Sequence, residues 1–183
     1  PSMGLAYATA DRGGCHQRAW PIAYDLGAKT PDGRYLDRYS PEGKAFVVKH
    51  DQDLIAALYS LVACDFATGA IGTDHYIPLL NAATGWKYCQ KTFMKTGERI
   101  WNLIRAFNVR EGIRKEDDTL PPRIFEDPLP SGVAKGRVLP KEHFGKMLKE
   151  YYMLRGWDAE TGMPTYEKLK ELELEDIAKS IYP

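Results

Sequence analysis

Apolar residues recur every three or four positions along much of the chain, a spacing typical of helices that bury one face. Between Glu42 and Phe66 the recurring residues are Phe46, Leu54, Leu58, Leu61 and Val62. The pattern predicts one helix over this whole range. No stretch shows the strict alternation of apolar and polar residues that predicts a half-buried β-strand.

The same period predicts further helices after a loop over 67–73. Their ranges are Thr73–Ala83, Lys91–Val109, Lys141–Leu154 and Tyr166–Leu172, with a short turn to Ile181 after the last. Thr73 or Asp74, and Thr165, are residue types that cap helix N-termini. Gly85 and Gly112 favour helix ends, because glycine readily adopts the left-handed conformation found there.

Residues 1–41 are rich in glycine, proline and tyrosine and show no sustained helical period. We therefore predict an irregular segment that approaches a ligand, with at most short helices. Residues 42–183 are predicted to form a helical domain with an extended strap over 113–140. In this strap Pro121 and Pro122 exclude a helix at their own positions, and Asp117 and Asp118 are expected to stabilise a turn. The predicted fold class is mainly α.

Charge and composition exclude several classes of function. With 25 basic and 25 acidic residues the chain is neutral, so it has no field of one sign to attract nucleic acid or an anionic membrane. Its apolar runs are shorter than a bilayer span, and the first residues lack the pattern of a signal peptide. Three widely spaced cysteines argue against a disulfide framework and for a reducing compartment. We expect a cytoplasmic protein without a membrane span and without nucleic-acid binding.

The segment 8–18, ATADRGGCHQR, has two interpretations. In a site, Arg12 can bind phosphate with two hydrogen bonds, Gly13 lets the backbone approach a ligand, and His16 moves protons near neutral pH. In ordinary structure, the two adjacent glycines mark a tight surface turn. The spacing alone leaves both interpretations open.

The cysteines do not form a metal site by themselves. The chain has no C-x-x-C and no H-x-x-x-H, and three cysteines are too few for an iron–sulfur cluster with four thiolate ligands. Free cysteine is commonly buried, so Cys64 and Cys89 are expected by default to be small buried apolar residues. One cysteine could still contribute to a shared cluster.

Six motifs, taken together, resemble a known family. They are GLAYATADRGGCHQR, DLIAALYSLVACDF, LLNAATGW, TGERIWNLIRAFNVREG, DDTLPPR and EYYMLRGWD, in this order from residue 4 to about residue 174. They closely resemble the C-terminal part of tungsten-dependent aldehyde:ferredoxin oxidoreductases. The resemblance implies a largely helical fold, a tungstopterin (a tungsten held by two pterins), a neighbouring [4Fe–4S] cluster, and oxidation of aldehydes to carboxylic acids with ferredoxin as electron acceptor.

The resemblance assigns roles to the first motif. Arg12 and Gly13 match family positions that contact the tungstopterin. His16 matches a histidine beside the tungsten that assists proton transfer. These roles favour the site interpretation of the segment over the turn.

The second motif carries the implied cluster ligand. Cys64 matches the fourth thiolate of the [4Fe–4S] cluster, and Ala63 and Asp65 match positions whose backbone touches the pterin. This chain departs from the family pattern D-x-x-G-x-C, because Tyr59 and Val62 stand where the family has aspartate and glycine. A tyrosine at this pterin-binding position makes fewer hydrogen bonds than a carboxylate, so cofactor affinity or substrate class can differ.

The resemblance also implies a missing partner. The family's other three cluster cysteines and its N-terminal sheet domain lie before the matched region, so this chain is expected to be inactive alone. The missing half would come from a longer chain or from a complementing subunit. The alternative is a non-catalytic helical interaction or assembly module derived from the family. The sequence leaves open which small aldehyde is used, and whether molybdenum replaces tungsten.

Overall fold

Helices make up the regular structure in the part of the chain that the structure describes. The structure is a computed structural model and describes residues 1–68 and 70–182, with the backbone alone at residue 68. These residues form ten α-helices: α1 Ser2–Ala8, α2 Ile22–Asp25, α3 Lys44–Ser60, α4 Asp65–Thr68, α5 Thr73–Thr84, α6 Gln90–Arg110, α7 Arg123–Glu126, α8 Lys141–Arg155, α9 Tyr166–Glu171 and α10 Glu175–Ile181. Two short 3-10 helices lie at His16–Arg18 and Lys115–Asp117, and only isolated β-bridges occur among the described residues. The predicted mainly α fold class is confirmed.

The predicted helix over 42–66 is wrong at its C-terminal end. Helix α3 ends at Ser60, and Val62 has a backbone φ of +56°. This left-handed conformation interrupts the helical hydrogen bonds, so the chain turns before the short helix α4 begins at Asp65. The predicted loop over 67–73 is therefore wrong for its first two residues, and Gly69 within it lies outside the described residues.

The other predicted helices are confirmed to within one or two residues. Gly85 ends α5 with a φ of +73°, although Gly72, rather than Thr73 or Asp74, is the residue that precedes the helix. The Thr165 hydroxyl accepts a hydrogen bond from the Lys168 N–H, as expected of an N-cap. The turn predicted before Ile181 is instead helix α10. Pro183, the last residue of the predicted helical domain, lies outside the described residues.

Helices α3 and α6 pack in close contact and run antiparallel. A Cβ atom at Gly97 of α6 would lie 1.8 Å from the Asp53 carbonyl oxygen of α3, so the backbones touch at this point. Further along, Phe93 belongs to the same buried apolar cluster as Ala57 and Leu58. The residue numbers fall along one helix as they rise along the other. The end of α3 that precedes Cys64 therefore lies beside the start of α6.

A buried polar network joins α8 to α3. Arg155, fully buried, donates to the Asp53 carboxylate and to the Gln52 side-chain oxygen, the latter at 2.8 Å. The Tyr151 hydroxyl donates to the same Gln52 oxygen at 2.6 Å and accepts from the Trp101 ring nitrogen at 3.0 Å. Each charge has a partner, which is the condition for tolerating an ion pair in a core.

The strap is attached to the helices by a second buried ion pair. Both Nη atoms of Arg105 donate to the Asp118 carboxylate, at 2.8 and 2.7 Å, and the Tyr152 hydroxyl donates to it as well. The turn role expected for both aspartates thus holds for Asp117, which accepts from the Arg114 N–H at 2.8 Å, and is wrong for Asp118. The prolines at 121 and 122 lie outside helix α7, as predicted.

Candidate functional site

A buried arginine holds the segment that follows α1. Arg18 is 6% exposed and makes an ion pair of 2.6 Å with Asp11. Its guanidinium lies 5.2 Å from the ring centres of both Tyr59 and Trp101. The Asn108 side chain of α6 also donates to the Asp11 carbonyl at 2.9 Å. These contacts fix the backbone on both sides of residues 12–16. The sequence did not predict this role of Arg18, since nothing in its local pattern marks the residue as buried.

The residues between these anchors face outward. Arg12, Gly13 and His16 are exposed, and a Cβ atom at Gly13 would meet nothing within 4 Å. A glycine is required at position 13 because the backbone φ there is +83°, a conformation that other residues rarely adopt, and not because atoms pack closely around it. The imidazole of His16 packs edge-on against Trp20, with ring centres 5.6 Å apart. The two side chains with predicted chemistry are therefore open to a ligand.

Arg12 also contacts a thiol that the sequence did not single out. Its Nε and Nη2 atoms lie 3.4 and 3.2 Å from the Cys15 sulfur. Partial burial opposes ionisation of Cys15, but hydrogen bonds from Arg12 and from the Gln17 backbone outweigh it and lower the thiol pKa. The same hydrogen bond raises the pKa of Arg12. The pair favours a thiolate held beside a cation.

Tyr59 connects the end of α3 to this segment. Its hydroxyl lies 3.0 Å from the Gln17 carbonyl oxygen and 3.1 Å from the Asp65 carboxylate. The Trp20 ring nitrogen donates to the same Asp65 oxygen at 3.3 Å. Burial, followed by the hydrogen bond to Asp65, raises the pKa of the Tyr59 hydroxyl. Tyr59 and Asp65 thus join residues more than 40 positions apart in the sequence.

The turn between α3 and α4 presents Cys64 to the surface. Ala63 is partly buried, Cys64 is exposed and Val62 is 95% exposed. The default expectation that Cys64 and Cys89 are buried is wrong, because both thiols lie outside the apolar clusters and are exposed. Phe66, 76% exposed, lies against Trp20 with ring centres 6.2 Å apart.

The structure therefore packs the two parts of the chain that carry the predicted site residues against each other. Arg12, Gly13 and His16 come from the anchored segment, and the other four, Tyr59, Ala63, Cys64 and Asp65, come from the end of α3 and the turn after it. The Tyr59 hydroxyl donates to the Gln17 carbonyl and the Trp20 ring nitrogen donates to Asp65, and these two contacts hold the two parts together. Within residues 1–68 and 70–182 no three His, Cys, Asp or Glu side chains are grouped so as to hold a metal ion. The thiol of Cys64 fits a cluster only as one ligand among several.

A groove of about 700 Å³ runs from this segment to the strap. Arg12 and Tyr7 line one wall, and Leu120, Pro121 and Ile124 line the other. The Arg105–Asp118 ion pair lies along it and fixes the strap wall. The exposed surface of the groove is mainly apolar, although charged residues such as Arg12 and Asp117 also line it. Such a mixture is usual for sites that take small organic molecules.

Comparison with known proteins defines the class of protein. Residues 1–174, which include every residue of the candidate site, match the family model described as "Aldehyde ferredoxin oxidoreductase, domains 2 & 3". The class is thus that of the aldehyde ferredoxin oxidoreductases, and the match falls within their second and third domains. The chain belongs to the aldehyde ferredoxin oxidoreductase family.

Individual relatives agree with this family. The chain is 40% identical over 179 residues to the tungsten-containing aldehyde ferredoxin oxidoreductase of Pyrococcus horikoshii, and 39% identical to that of Pyrococcus furiosus. Each match covers 95% of this chain and 28% of the relative, so the chain spans little more than a quarter of their length. It is also 34% identical over 137 residues to the "Aliphatic sulfonate oxidoreductase, WOR-like subunit" of Pyrococcus furiosus, covering 70% of this chain and 21% of that one.

A solved structure supports the fold. The active site complex BamBC of benzoyl coenzyme A reductase, solved with 1,5-dienoyl-CoA, superposes with a TM-score of 0.63 at 22% identity. The superposition covers 81% of this chain and 22% of that one. Separately, none of the helices in the described residues combines the length and the apolar character needed to cross a membrane.

Proposed function

We propose that this chain forms the helical part of a tungstopterin oxidoreductase that converts aldehydes to carboxylic acids and passes the electrons to ferredoxin. The observation that carries the proposal is the packing of the segment around Arg12–His16 against the turn that carries Cys64, held together by the contacts of Tyr59 with Gln17 and of Asp65 with Trp20. The rest of the site would come from the preceding part of a longer chain or from a complementing subunit. Without that part the chain would not turn over.

The exposed residues fit one side of the two cofactors. Arg12 offers a guanidinium, and Gly13 offers backbone that no side chain covers, to the phosphates and polar edges of a pterin. Cys64 would give one thiolate to the [4Fe–4S] cluster, and Ala63 and Asp65 would contact the pterin through their backbone. When bound, the tungstopterin supplies the two-electron oxidation and the cluster passes single electrons onward.

Tyr59 stands where the family motif has a carboxylate, but its hydroxyl can accept fewer hydrogen bonds from a pterin. Its single proton points to the Gln17 carbonyl or to Asp65. The oxygen keeps a lone pair that can accept one N–H of a pterin, where a carboxylate could accept several. We propose that Tyr59 contributes one pterin contact and also positions the turn that carries Cys64.

His16 is the residue of this chain that we assign to proton transfer. Aldehyde and water become carboxylic acid with the release of two electrons and two protons, and the exposed imidazole can accept one of these protons. Trp20 holds the ring from one edge, which restricts its orientation. The apolar surface of Trp20 and Phe66 next to it would keep bulk solvent away from the reacting groups, while the one water molecule that the reaction consumes still has to enter.

The full-length parent protein with His16→Ala tests this function. We expect kcat/KM for aldehyde oxidation to fall by a factor of about 10² to 10⁴, as is typical for loss of a general acid or base, while the tungsten content is unchanged. His75→Ala, which removes an exposed histidine of α5, is the matched control and should retain activity. Full activity of His16→Ala with intact tungsten would exclude the role.

The alternative function is a helical interaction or assembly module without catalysis. The substitution of tyrosine and valine in the D-x-x-G-x-C motif is the observation that favours it. Metal analysis of the protein from its native source separates the two functions. Tungsten and iron in stoichiometric amounts support the oxidoreductase, and their absence from an intact native complex supports the assembly module.

A further inference from the structure

A row of basic residues lies at the start of α6 and just before it. Lys87, Lys91, Lys95 and Arg99 follow one another at intervals of four residues. Residues four apart lie on the same face of a helix, so the three within α6 form one stripe. The lysines are exposed. We refer to these four residues as the basic surface.

The charges of the three lysines are not neutralised by neighbours. Among the described residues, no carboxylate lies within ion-pair distance of Lys87, Lys91 or Lys95, whereas Arg99 pairs with Glu173 at 2.5 Å. Glu98, an acidic residue of α6 next to Arg99 in the sequence, pairs with Lys49 at 3.2 Å instead of with the three lysines. A chain with no net charge thus carries a local excess of positive charge here.

The basic surface borders a groove with aromatic residues. The groove has a volume of about 530 Å³, and three of its lining residues are basic and one, Glu173, is acidic. The basic residues are Lys87, Lys95 and Arg99, and the rest of the lining is Trp86, Tyr88, Thr92 and Thr96. Trp86 is 57% exposed and lies against Tyr88, with ring centres 5.8 Å apart. Tryptophan, tyrosine and arginine are the residue types that contribute most to binding at protein interfaces, and the lysines beside them add positive charge.

This surface lies at the same end of the molecule as Cys64. Helices α3 and α6 cross at Asp53 and Gly97 and run antiparallel. Cys64 lies 11 residues after the crossing at Asp53, and Lys87 lies 10 residues before the crossing at Gly97. The end of α3 and the start of α6 therefore lie at the same end of the helix pair, where Leu61 and Tyr88 pack against one buried apolar cluster.

We propose that the basic surface docks the acidic face of the small electron-carrier protein that takes electrons from the cluster. This inference rests on the proposed function, because it requires a cluster bound through Cys64. In each transfer one electron leaves the reduced cluster and reduces one oxidised carrier, so two carriers are reduced for each aldehyde. Opposite charge on the carrier would speed the encounter and set the orientation in which its redox centre faces Cys64.

The test uses the full-length holoenzyme with ferredoxin or a small viologen dye as electron acceptor. In the variant Lys91→Glu/Lys95→Glu we expect the KM for ferredoxin to rise about tenfold at low salt, with the difference shrinking as salt screens the charges. Dye-linked aldehyde oxidation should be unchanged. Lys135→Glu/Lys149→Glu reverses two exposed lysines on the strap and α8, changes the net charge equally, and should leave the KM for ferredoxin near that of the wild type.

The outcomes separate this inference from the proposed function. If both double variants give the same KM for ferredoxin at low salt, the basic surface is not the docking site. If Lys91→Glu/Lys95→Glu loses dye-linked activity or fails to assemble, the surface is covered by the rest of the enzyme, and the docking proposal is overturned. If the wild-type enzyme oxidises no aldehyde with the dye, the proposed function fails, and the docking role fails with it.

Discussion

Val62 is the residue whose backbone conformation fits its side chain least. Its φ of +56° lies in the left-handed region, where a β-branched side chain crowds the backbone, and its side chain is 95% exposed and gains nothing from packing. The family resemblance puts a glycine at this position. The turn that presents Cys64 therefore has a backbone conformation that glycine adopts freely and that strains a valine.

We predict that Val62→Gly stabilises the chain by about 1 kcal/mol. The substitution removes the strain of the left-handed conformation, which exceeds the cost of the added freedom of glycine in the unfolded chain. Val133→Gly is the control, because Val133 is 91% exposed and its φ is not positive. This variant should be destabilised, since it only adds conformational freedom to the unfolded chain. Denaturant unfolding of both variants measures the change. Equal destabilisation by the two variants would show that Val62 is not strained.

Glu98 provides a prediction about pH. Burial acts against its ionisation, but Lys49 at 3.2 Å and Lys168 at 3.5 Å outweigh burial and lower its pKa in the folded state. A lowered pKa gives stability above the unfolded value of about 4.3, and this stability is lost as the pH falls through the folded value. Glu98→Gln should therefore destabilise the chain at pH 7 and cost progressively less below about pH 4.

Denaturant unfolding of wild type and Glu98→Gln at a series of pH values between about 7 and 3 measures this effect. Glu142→Gln removes a charge from an exposed glutamate of α8 and controls for the change in net charge. A difference between Glu98→Gln and wild type that stays constant over the whole series would contradict the prediction.

Single residues also mark how far the sequence could predict the site. Residues 1–41 were predicted to be irregular with at most short helices, and the structure has only Ser2–Ala8, His16–Arg18 and Ile22–Asp25 as helices there. The contact of Tyr59 with the Gln17 carbonyl spans 42 residues and depends on how α3 packs, which no local pattern contains. The burial of Arg18 depends on two aromatic rings from other elements in the same way.

Among the elements, helices α3 and α6 pack so closely at their crossing that no side chain fits at position 97. Gly97 lies inside α6, where alanine would favour the helix by about 1 kcal/mol. A Cβ atom there would lie 1.8 Å from the carbonyl oxygen and 2.6 Å from the carbonyl carbon of Asp53. Backbone atoms in a packed helix cannot move aside as a flexible side chain can.

We predict that Gly97→Ala destabilises the chain by about 3 kcal/mol, because α3 and α6 would have to separate. Gly145→Ala is the matched control: Gly145 lies within α8, is exposed, and has no atom within 4 Å of the place that an added methyl group would take. It should stabilise the chain by about 0.5–1 kcal/mol. Thermal or denaturant unfolding measures both. A stabilised Gly97→Ala variant would contradict the observed crossing.

The ends of the elements show why the sequence predicted some boundaries and missed others. The start of α9 and the end of α5 follow from residues with local preferences, Thr165 and Gly85. The end of α3 was missed because Leu61 and Val62 continue the apolar period although the backbone has already turned. Period alone cannot detect a valine that adopts the conformation of a glycine.

At the scale of the whole molecule, the proposed function requires Cys64 to give one thiolate to a cluster whose other ligands would come from outside this chain. We predict that Cys64→Ala in the full-length parent protein removes the iron of the [4Fe–4S] cluster and its reduced-state paramagnetic signal. Cys89→Ala removes the other exposed thiol and should keep the iron. Iron analysis and electron paramagnetic resonance of both variants provide the measurement. Full iron content in Cys64→Ala would exclude this ligand.

The contacts of Trp101 set an order of events during synthesis. Arg18 lies 5.2 Å from its ring centre and Arg155 lies 5.3 Å from it, so the anchored segment and α8 share one aromatic residue. Arg155 also donates a hydrogen bond to Asp53, which lies 102 residues earlier in the chain. A ribosome releases the Arg12–His16 segment long before it releases α8. The anchored segment can make its own contacts once residue 108 has been synthesised, but the packing around Trp101 is complete only after residue 155. Under the proposed function, a cofactor inserted earlier would meet a wall whose support is incomplete.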